Sequence, residues 1–264
     1  MRFTLFVRKD EASMQIENEI CELLIKRGAI KDESNPEIVI CVGGDGTFLR
    51  AVHQFLTLDT LPQFVCVRSG SLCFFGNYQR DDIQSLVDDI LNQNIVFEEY
   101  PLLKATIHQN QKAIATFYAV NEIRMENPFK TMICDVDIDN ERLEEFRGNG
   151  LLVASTLGSS AYNKSCGGAI IDTKLNLLEL TEIAPIESVA YRSIKESMVL
   201  APSRVIRFFG PFKNHEVIGY DYLLYETEET IDDVTISYSN KKIRIVKREF
   251  VSALKKAFIG KELR

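Results

Sequence analysis

The chain has no tryptophan, three histidines, and six cysteines that form no Cys-x-x-Cys pair. His53, His108 and His215 sit nowhere near a ligand pattern, which argues against a zinc site. Cys21, Cys41, Cys66, Cys73, Cys134 and Cys166 are scattered and read as thiols in a reducing compartment rather than a disulfide framework. No apolar run approaches the roughly 18 residues that a membrane span needs. The stretch from Met1 to Asp10 turns charged too early for a signal peptide and reads as a short strand, so a cytoplasmic protein is expected. There is no Lys/Arg block. With net charge −7 and a pI of about 5.2 the chain offers no basic face, and a nucleic-acid partner is not expected. Internal repeats and low-complexity stretches are missing too. An anionic ligand must therefore be held locally, by backbone N–H groups and a few placed cations.

What is present is an ordinary globular composition, 45% hydrophobic and 26% charged over 264 residues, enough for one large or two smaller domains. Strand and helix signals alternate through residues 1–100. Phe3 to Val7 reads as a strand. Ser13 to Arg27 has helical periodicity, with Met14, Ile20, Leu23 and Leu24 among its apolar positions and Gly28 as its stop. Glu37 to Val42 and Phe64 to Val67 have the pattern of buried parallel strands. Helices are predicted from about Thr47 to Leu56 and over Asp81 to Leu91. This is the grammar of a three-layer, Rossmann-like α/β unit. From residue 101 to 238 short strands dominate: Ala115 to Val120, Met132 to Ile138, Leu151 to Ala154, Met198 to Leu200, Val205 to Phe209, and Val234 to Tyr238 with its period-2 alternation. A mainly β second domain is expected there. Residues 239–264 form a tail with a helix over Glu249 to Phe258.

The most informative segment is Val39-Ile40-Cys41-Val42-Gly43-Gly44-Asp45-Gly46-Thr47. A buried strand ends, three glycines surround one acid, and a helix starts. Glycines admit positive φ and close ligand approach. A helix start offers unpaired N–H groups to an anion such as phosphate. Asp45 itself repels phosphate. It could hold Mg²⁺, cap the helix, or take a proton from an attacking hydroxyl, and the helix N-terminus favours a negative charge there. The loop is neither a Walker A motif nor a GxGxxG fingerprint. A tight turn without chemistry is the plain alternative.

Two later segments carry polar groups. Asn121-Glu122 follows a strand and can either bond a purine edge and sugar hydroxyls or simply end the strand. Arg147-Gly148-Asn149-Gly150 reads as a charged turn, with Asn149-Gly150 as a hairpin corner. The run from Ser155 to Ala169, which holds Ser160-Ala161-Tyr162-Asn163-Lys164-Ser165, is rich in glycine and hydroxyls. A surface loop could have that composition, and a nucleotide-binding turn requires it.

The Gly43-Gly44-Asp45-Gly46-Thr47 signature resembles that of NAD kinases, diacylglycerol and sphingosine kinases and, more distantly, phosphofructokinases. Together with Asn121-Glu122 and the Gly-Ser-Ser-Ala-Tyr-Asn-Lys-Ser turn, in this order, the chain resembles the NAD kinase family of bacterial type over nearly its whole length. The resemblance implies an α/β domain (residues 1–100) carrying the glycine loop, and a β-rich NAD-binding domain (residues 101–238). It implies transfer of a phosphoryl group from ATP or polyphosphate, with Mg²⁺ or another divalent metal, to the 2′-hydroxyl of the adenosine ribose of NAD. It makes Asp45 the catalytic base. It gives Gly46, Asn121, Glu122, Arg147, Asn149, Ser160, Ala161, Tyr162, Asn163, Lys164, Ser165 and Ala184 as substrate contacts, with Gly43, Gly44, Thr47, Phe74 and Asp221 as secondary candidates. A homodimer or homotetramer is implied, with Ala184 at a position often reached by a neighbouring subunit. Lipid kinases lack the later motifs. A non-catalytic NAD(P)(H) sensor is the reading from another class. Four departures from the family pattern stand out: Asn149 where Asp is usual, Ser71 where His is common, Cys73 where Gly is common, and Tyr222 where Gly or His is common.

Overall fold

A computed structural model describes residues 1–70, 73–210, 212, 216–226 and 230–259. Ser71 and His215 lie outside them. The chain divides into two compact units, Met1–Tyr100 with the chain from Lys242 onward, and Pro101–Lys241.

The first unit is α/β. Its elements are β1 (Arg2–Val7), α1 (Glu11–Lys26), β2 (Ile30–Lys31), β3 (Ile38–Val42), α2 (Asp45–Phe55), β4 (Gln63–Arg68), β5 (Tyr78–Gln79) and α3 (Ile83–Leu91). The strands are parallel in the order β2-β1-β3-β4, with β5 beside β4. Every residue of β3 is buried, as expected for a strand covered on both faces. Ile38, Ile40 and Val42 join Ile16, Ile20 and Leu24 of α1 and Leu86 and Val87 of α3 in one core cluster. The alternate residues of β3 and β4 point the other way, where Phe48 of α2 meets Phe64 edge to face at 5.8 Å. Each fully buried aliphatic side chain of this kind contributes about 1.5–3 kcal/mol. Helix α1 starts on Asp10, whose carboxylate accepts from the Ser13 N–H, and stops at Gly28 with φ +86°. Met14 is 54% exposed while Ile16 is 2% exposed, so the core stripe runs through Ile16, Ile20 and Leu24 and leaves Met14 off it.

The second unit is built of antiparallel strands. Its elements are β6 (Phe97–Gln109), β7 (Lys112–Ala119), β8 (Glu122–Glu126), β9 (Met132–Ile138), β10 (Glu141–Gly148), β11 (Gly150–Ser155), a short α4 (Tyr162–Ser165), β12 (Leu178–Ile183), β13 (Met198–Leu200), β14 (Ile206–Phe209), β15 (Val217–Tyr220), β16 (Leu223–Glu226) and β17 (Asp233–Val246). One sheet runs β13-β12-β11-β8-β15-β16, and another set of strands runs β10-β9-β14-β17. Inward residues such as Leu103, Ile123, Phe146, Val153, Phe208 and Ile236 form the unit's core. The end of β17 belongs to the first unit, where Arg244 and Ile245 pair in parallel with Gln63 and Phe64 of β4. A short α5 (Phe250–Leu254) follows, then a π-helical turn over Lys255–Ile259.

Two local expectations are corrected. The helix after the glycine loop begins at Asp45, two residues before Thr47, and its N-cap is Gly44, so Asp45 is a first-turn residue and not the cap. Asn149-Gly150 is not a hairpin corner either. β10 pairs with β9, whereas β11 pairs with β8 and β12 in the other sheet, so Asn149 joins strands of two sheets.

Candidate active site

In the first unit the glycine loop closes the carboxyl end of β3. Gly43 donates to the Val67 carbonyl at 3.0 Å, and a Cβ on Gly43 would fall 2.4 Å from the buried Thr47 Oγ1. Thr47 therefore packs where only glycine leaves room. Gly44 accepts the first helical bonds from Thr47 and Phe48. A Cβ on Gly46 would meet nothing within 4 Å, so the chain is open there. The Asp45 carboxylate is held from one side. Its Oδ2 accepts from the Phe74 N–H at 3.0 Å, and its Oδ1 accepts from the Phe75 N–H at 3.0 Å and from the Cys73 thiol at 3.3 Å. The structure thus brings Phe74 to Asp45 through its backbone, and Cys73 supplies a donor that a glycine at that position lacks. Burial, with Cys66 and Asp45 nearby, pushes the Cys73 thiol far above the ordinary range, so it stays protonated and donating.

In the second unit Asn121-Glu122 is presented by Asp221. The Asp221 carboxylate accepts from the N–H groups of Val120 at 2.9 Å and Asn121 at 2.7 Å. Asp221 is the first of two residues joining β15 to β16, at φ +51°, a conformation that aspartate tolerates better than most residues. Asn121 Oδ1 and Glu122 Oε2 are buried and have no hydrogen-bond partner among the described residues. Burial, then repulsion from Asp221, pushes Glu122 up to about 8 against the pull of Arg124. Arg124 donates through Nε to Glu126 at 2.7 Å and lies 5.5 Å from the centre of the Tyr162 ring, while the Tyr162 hydroxyl donates to Glu126 at 3.2 Å. Tyr162 is thereby tied to the strand that carries Glu122.

The turn after β11 is pinned from below. Ser155 Oγ donates to the Val120 carbonyl and accepts from the Gly158 N–H. Asn163 is fully buried: its amide donates to Glu179 at 2.7 Å and its Oδ1 accepts from Thr181 at 2.7 Å. Its side chain is spent holding the turn. Ser160 and Ala161 are half-buried, while Tyr162, Lys164 and Ser165 are exposed. Arg147, Asn149 and Ala184 form a second group. Asn149 donates from its backbone to the Ile183 carbonyl at 3.0 Å and from its side-chain amide to the Asn127 carbonyl at 3.1 Å. Arg147 pairs with Glu145 and lies 4.1 Å over the Tyr191 ring. Ala184 is exposed at φ +47°, a strained setting for an L-residue with a Cβ. Tyr222 is exposed in the same turn as Asp221.

Sequence reasoning missed Arg124, Glu126, Glu179 and Tyr191. The alternation Glu122-x-Arg124-x-Glu126 was the available signal, since it puts three charges on one face of a strand. Among the described residues no group of three His, Cys, Asp or Glu forms a metal cage.

An acid among glycines at the carboxyl end of a parallel sheet lies where open α/β sheets place their ligands, and together with a β unit holding buried, unmatched polar atoms it fits the class of nucleotide-dependent phosphotransferases. The comparisons narrow the class. The model of the ATP-NAD kinase N-terminal domain matches residues 25–95, and that of the ATP-NAD kinase C-terminal domain matches residues 120–248. NAD kinases of Staphylococcus aureus strains JH9 and N315 are 35% identical over 242 residues, which is 91% of this chain and 86% of theirs. The solved NAD kinase from Archaeoglobus fulgidus in complex with ATP superposes with a TM-score of 0.79 at 20% identity, covering 97% of this chain and 98% of that one. The yeast NADH kinase complexed with NADH superposes at 0.85 and 15% identity, covering 100% and 89%. The chain belongs to the NAD kinase family. It is a kinase, a transferase that phosphorylates NAD.

Proposed function

We propose that the protein transfers the terminal phosphoryl group of ATP, or of polyphosphate, in line to the 2′-hydroxyl of the adenosine ribose of NAD. Asp45 orients that hydroxyl and accepts its proton. Asn121, Glu122, Arg147, Asn149, Ala184 and the 160–165 turn bind the dinucleotide. Within that turn Tyr162 packs against a ring, and Asn163 acts from inside by fixing the turn's shape. Gly46 and the start of α2 face the phosphates, where helix N–H groups and the macrodipole favour an anion. The divalent metal arrives with the phosphoryl donor as its counter-ion. Mg²⁺ is commonly held by one or two carboxylates plus substrate phosphates. Phosphoryl transfer is mostly positioning and electrostatics, and no covalent nucleophile is needed. The cytoplasm and a homodimer or homotetramer complete the reading. No helix among the described residues is long and apolar enough to cross a membrane.

The observation that carries the dinucleotide reading is the pair Asn121 Oδ1 and Glu122 Oε2. Two buried polar atoms on consecutive residues, without partners among the described residues, cost free energy unless a ligand completes them. Purified protein with ATP, Mg²⁺ and NAD, followed for NADP by a coupled dehydrogenase, tests it, with Asn121→Ala as the variant. The reading expects NADP from the wild type and a rise of about tenfold or more in KM for NAD in the variant, the worth of one lost buried hydrogen bond to ligand. An unchanged KM would remove Asn121 from the site. Repeating the assay with polyphosphate and with NADH sets donor and acceptor preference.

A further inference from the structure

The donors that hold Asp45 come from one short segment, and a residue from the far end of the chain grips that segment. Arg248 follows β17 by two residues. Its guanidinium lies 4.3 Å from the centre of the Phe74 ring and 4.9 Å from that of Phe75, and its Nη1 donates to the Phe74 carbonyl at 3.1 Å. Phe75 in turn packs on Phe48 of α2, with ring centroids 4.1 Å apart. Arg248 Nε and Nη2 are buried and lack a hydrogen-bond partner among the described residues. Burial pulls the guanidinium below its usual range, against the attraction of Tyr100, Cys66, Asp45 and Glu98. A buried cation with two unmatched donors is expensive, and an apolar side chain would fill the space at lower cost.

The geometry shows what the arginine does that an apolar residue cannot. The Phe74 carbonyl and the Phe75 N–H belong to one planar peptide unit, so their directions are locked together. Arg248 donates to the oxygen of that unit, and its N–H donates to Asp45 Oδ1. Hydrogen bonds in such a chain also polarise one another. We propose that Arg248 is a positioning residue for Asp45. It pins the Phe74–Phe75 peptide plane and so keeps that N–H on the carboxylate and the carboxylate in its reactive orientation. The proposal rests on the reading of Asp45 as the base.

The test measures kcat and KM for NAD in Arg248→Ala, Arg248→Lys, Asp45→Asn and the double variant Arg248→Ala/Asp45→Asn. Arg248→Ala is expected to lower kcat by about 10²-fold, the scale of a misplaced catalytic group, with KM within about twofold. Arg248→Lys keeps the charge without the plane and is expected to stay well below wild type. The double variant is expected to be no slower than Asp45→Asn alone, because the arginine acts through the aspartate. Multiplying losses in the double variant, or a wild-type kcat in either folded Arg248 variant, overturns the proposal. Should Arg248→Ala fail to fold, Arg248→Lys alone and on the Asp45→Asn background decides by the same criteria. Full turnover in Asp45→Asn is a separate result that sinks the base reading itself.

Discussion

Replacing Glu122 with glutamine should change how stability depends on pH. Glu122 is 4% exposed, and burial followed by the charge on Asp221 raises its pKa from the ordinary 4.5 to about 8. A carboxyl group whose pKa rises on folding binds its proton more tightly in the native state. Between about pH 4.5 and pH 8 the folded chain therefore holds a proton that the unfolded chain has lost, and stability falls as pH rises through that window. Each pH unit of the gap corresponds to about 1.4 kcal/mol, so burying this group costs roughly 3–6 kcal/mol by pH 8 and almost nothing at pH 4.5. Glutamine has the shape of the neutral acid and cannot ionise. Glu122→Gln should match wild type near pH 4.5 and exceed it by about 3–6 kcal/mol at pH 8. Urea titrations of the ligand-free protein, followed by far-UV circular dichroism at several pH values, give the difference directly. A difference that stays flat across this window would mean that Glu122 is not held neutral, and the argument from its burial would fail.

Gly158→Ala should loosen the dinucleotide site, because the new Cβ would fall 2.0 Å from the Asn121 carbonyl oxygen and the backbone must move. The expected cost is about 1–3 kcal/mol in stability, seen in thermal melts, with a raised KM for NAD. Phe48→Ala removes a fully buried ring from between Phe64 and Phe75 and should cost about 3–5 kcal/mol, read by urea denaturation. Chelating divalent metal with EDTA should abolish turnover with ATP, and adding back Mg²⁺ should restore it. Activity that survives chelation would remove the metal from the donor complex.

The fold was legible wherever one physical signal dominated. Met132–Ile138 and Met198–Leu200 match at both ends, and the apolar run before the glycine loop is a fully buried parallel strand. Strands rich in charge were missed. β10 reads Glu-Arg-Leu-Glu-Glu-Phe-Arg-Gly, and only its tertiary pairing with β9 makes it a strand. β12 hides two glutamates, and Glu179 is tolerated at 0% exposure because it accepts from Asn163 and from the Ala169 N–H. β17 continues to Val246, well past the alternating Val234-Ile236-Tyr238 signal, into residues expected to belong to the tail. At the site, Asp45 announces itself by its three glycines. Asn121 and Glu122 gained weight only from the family resemblance, since a polar pair ending a strand is common. Asp221 and Arg248 lie 100 and 174 residues from the groups they hold, at distances that no local pattern encodes.

The central claim is that Asp45 takes the proton from the ribose hydroxyl, and Asp45→Asn tests it most directly. The amide keeps the size of the acid and the first turn of α2 while losing the base. NADP formation from NAD and ATP should fall by about 10² to 10⁴-fold in kcat, with the circular dichroism spectrum unchanged. Turnover at the wild-type rate in the folded variant would contradict the account.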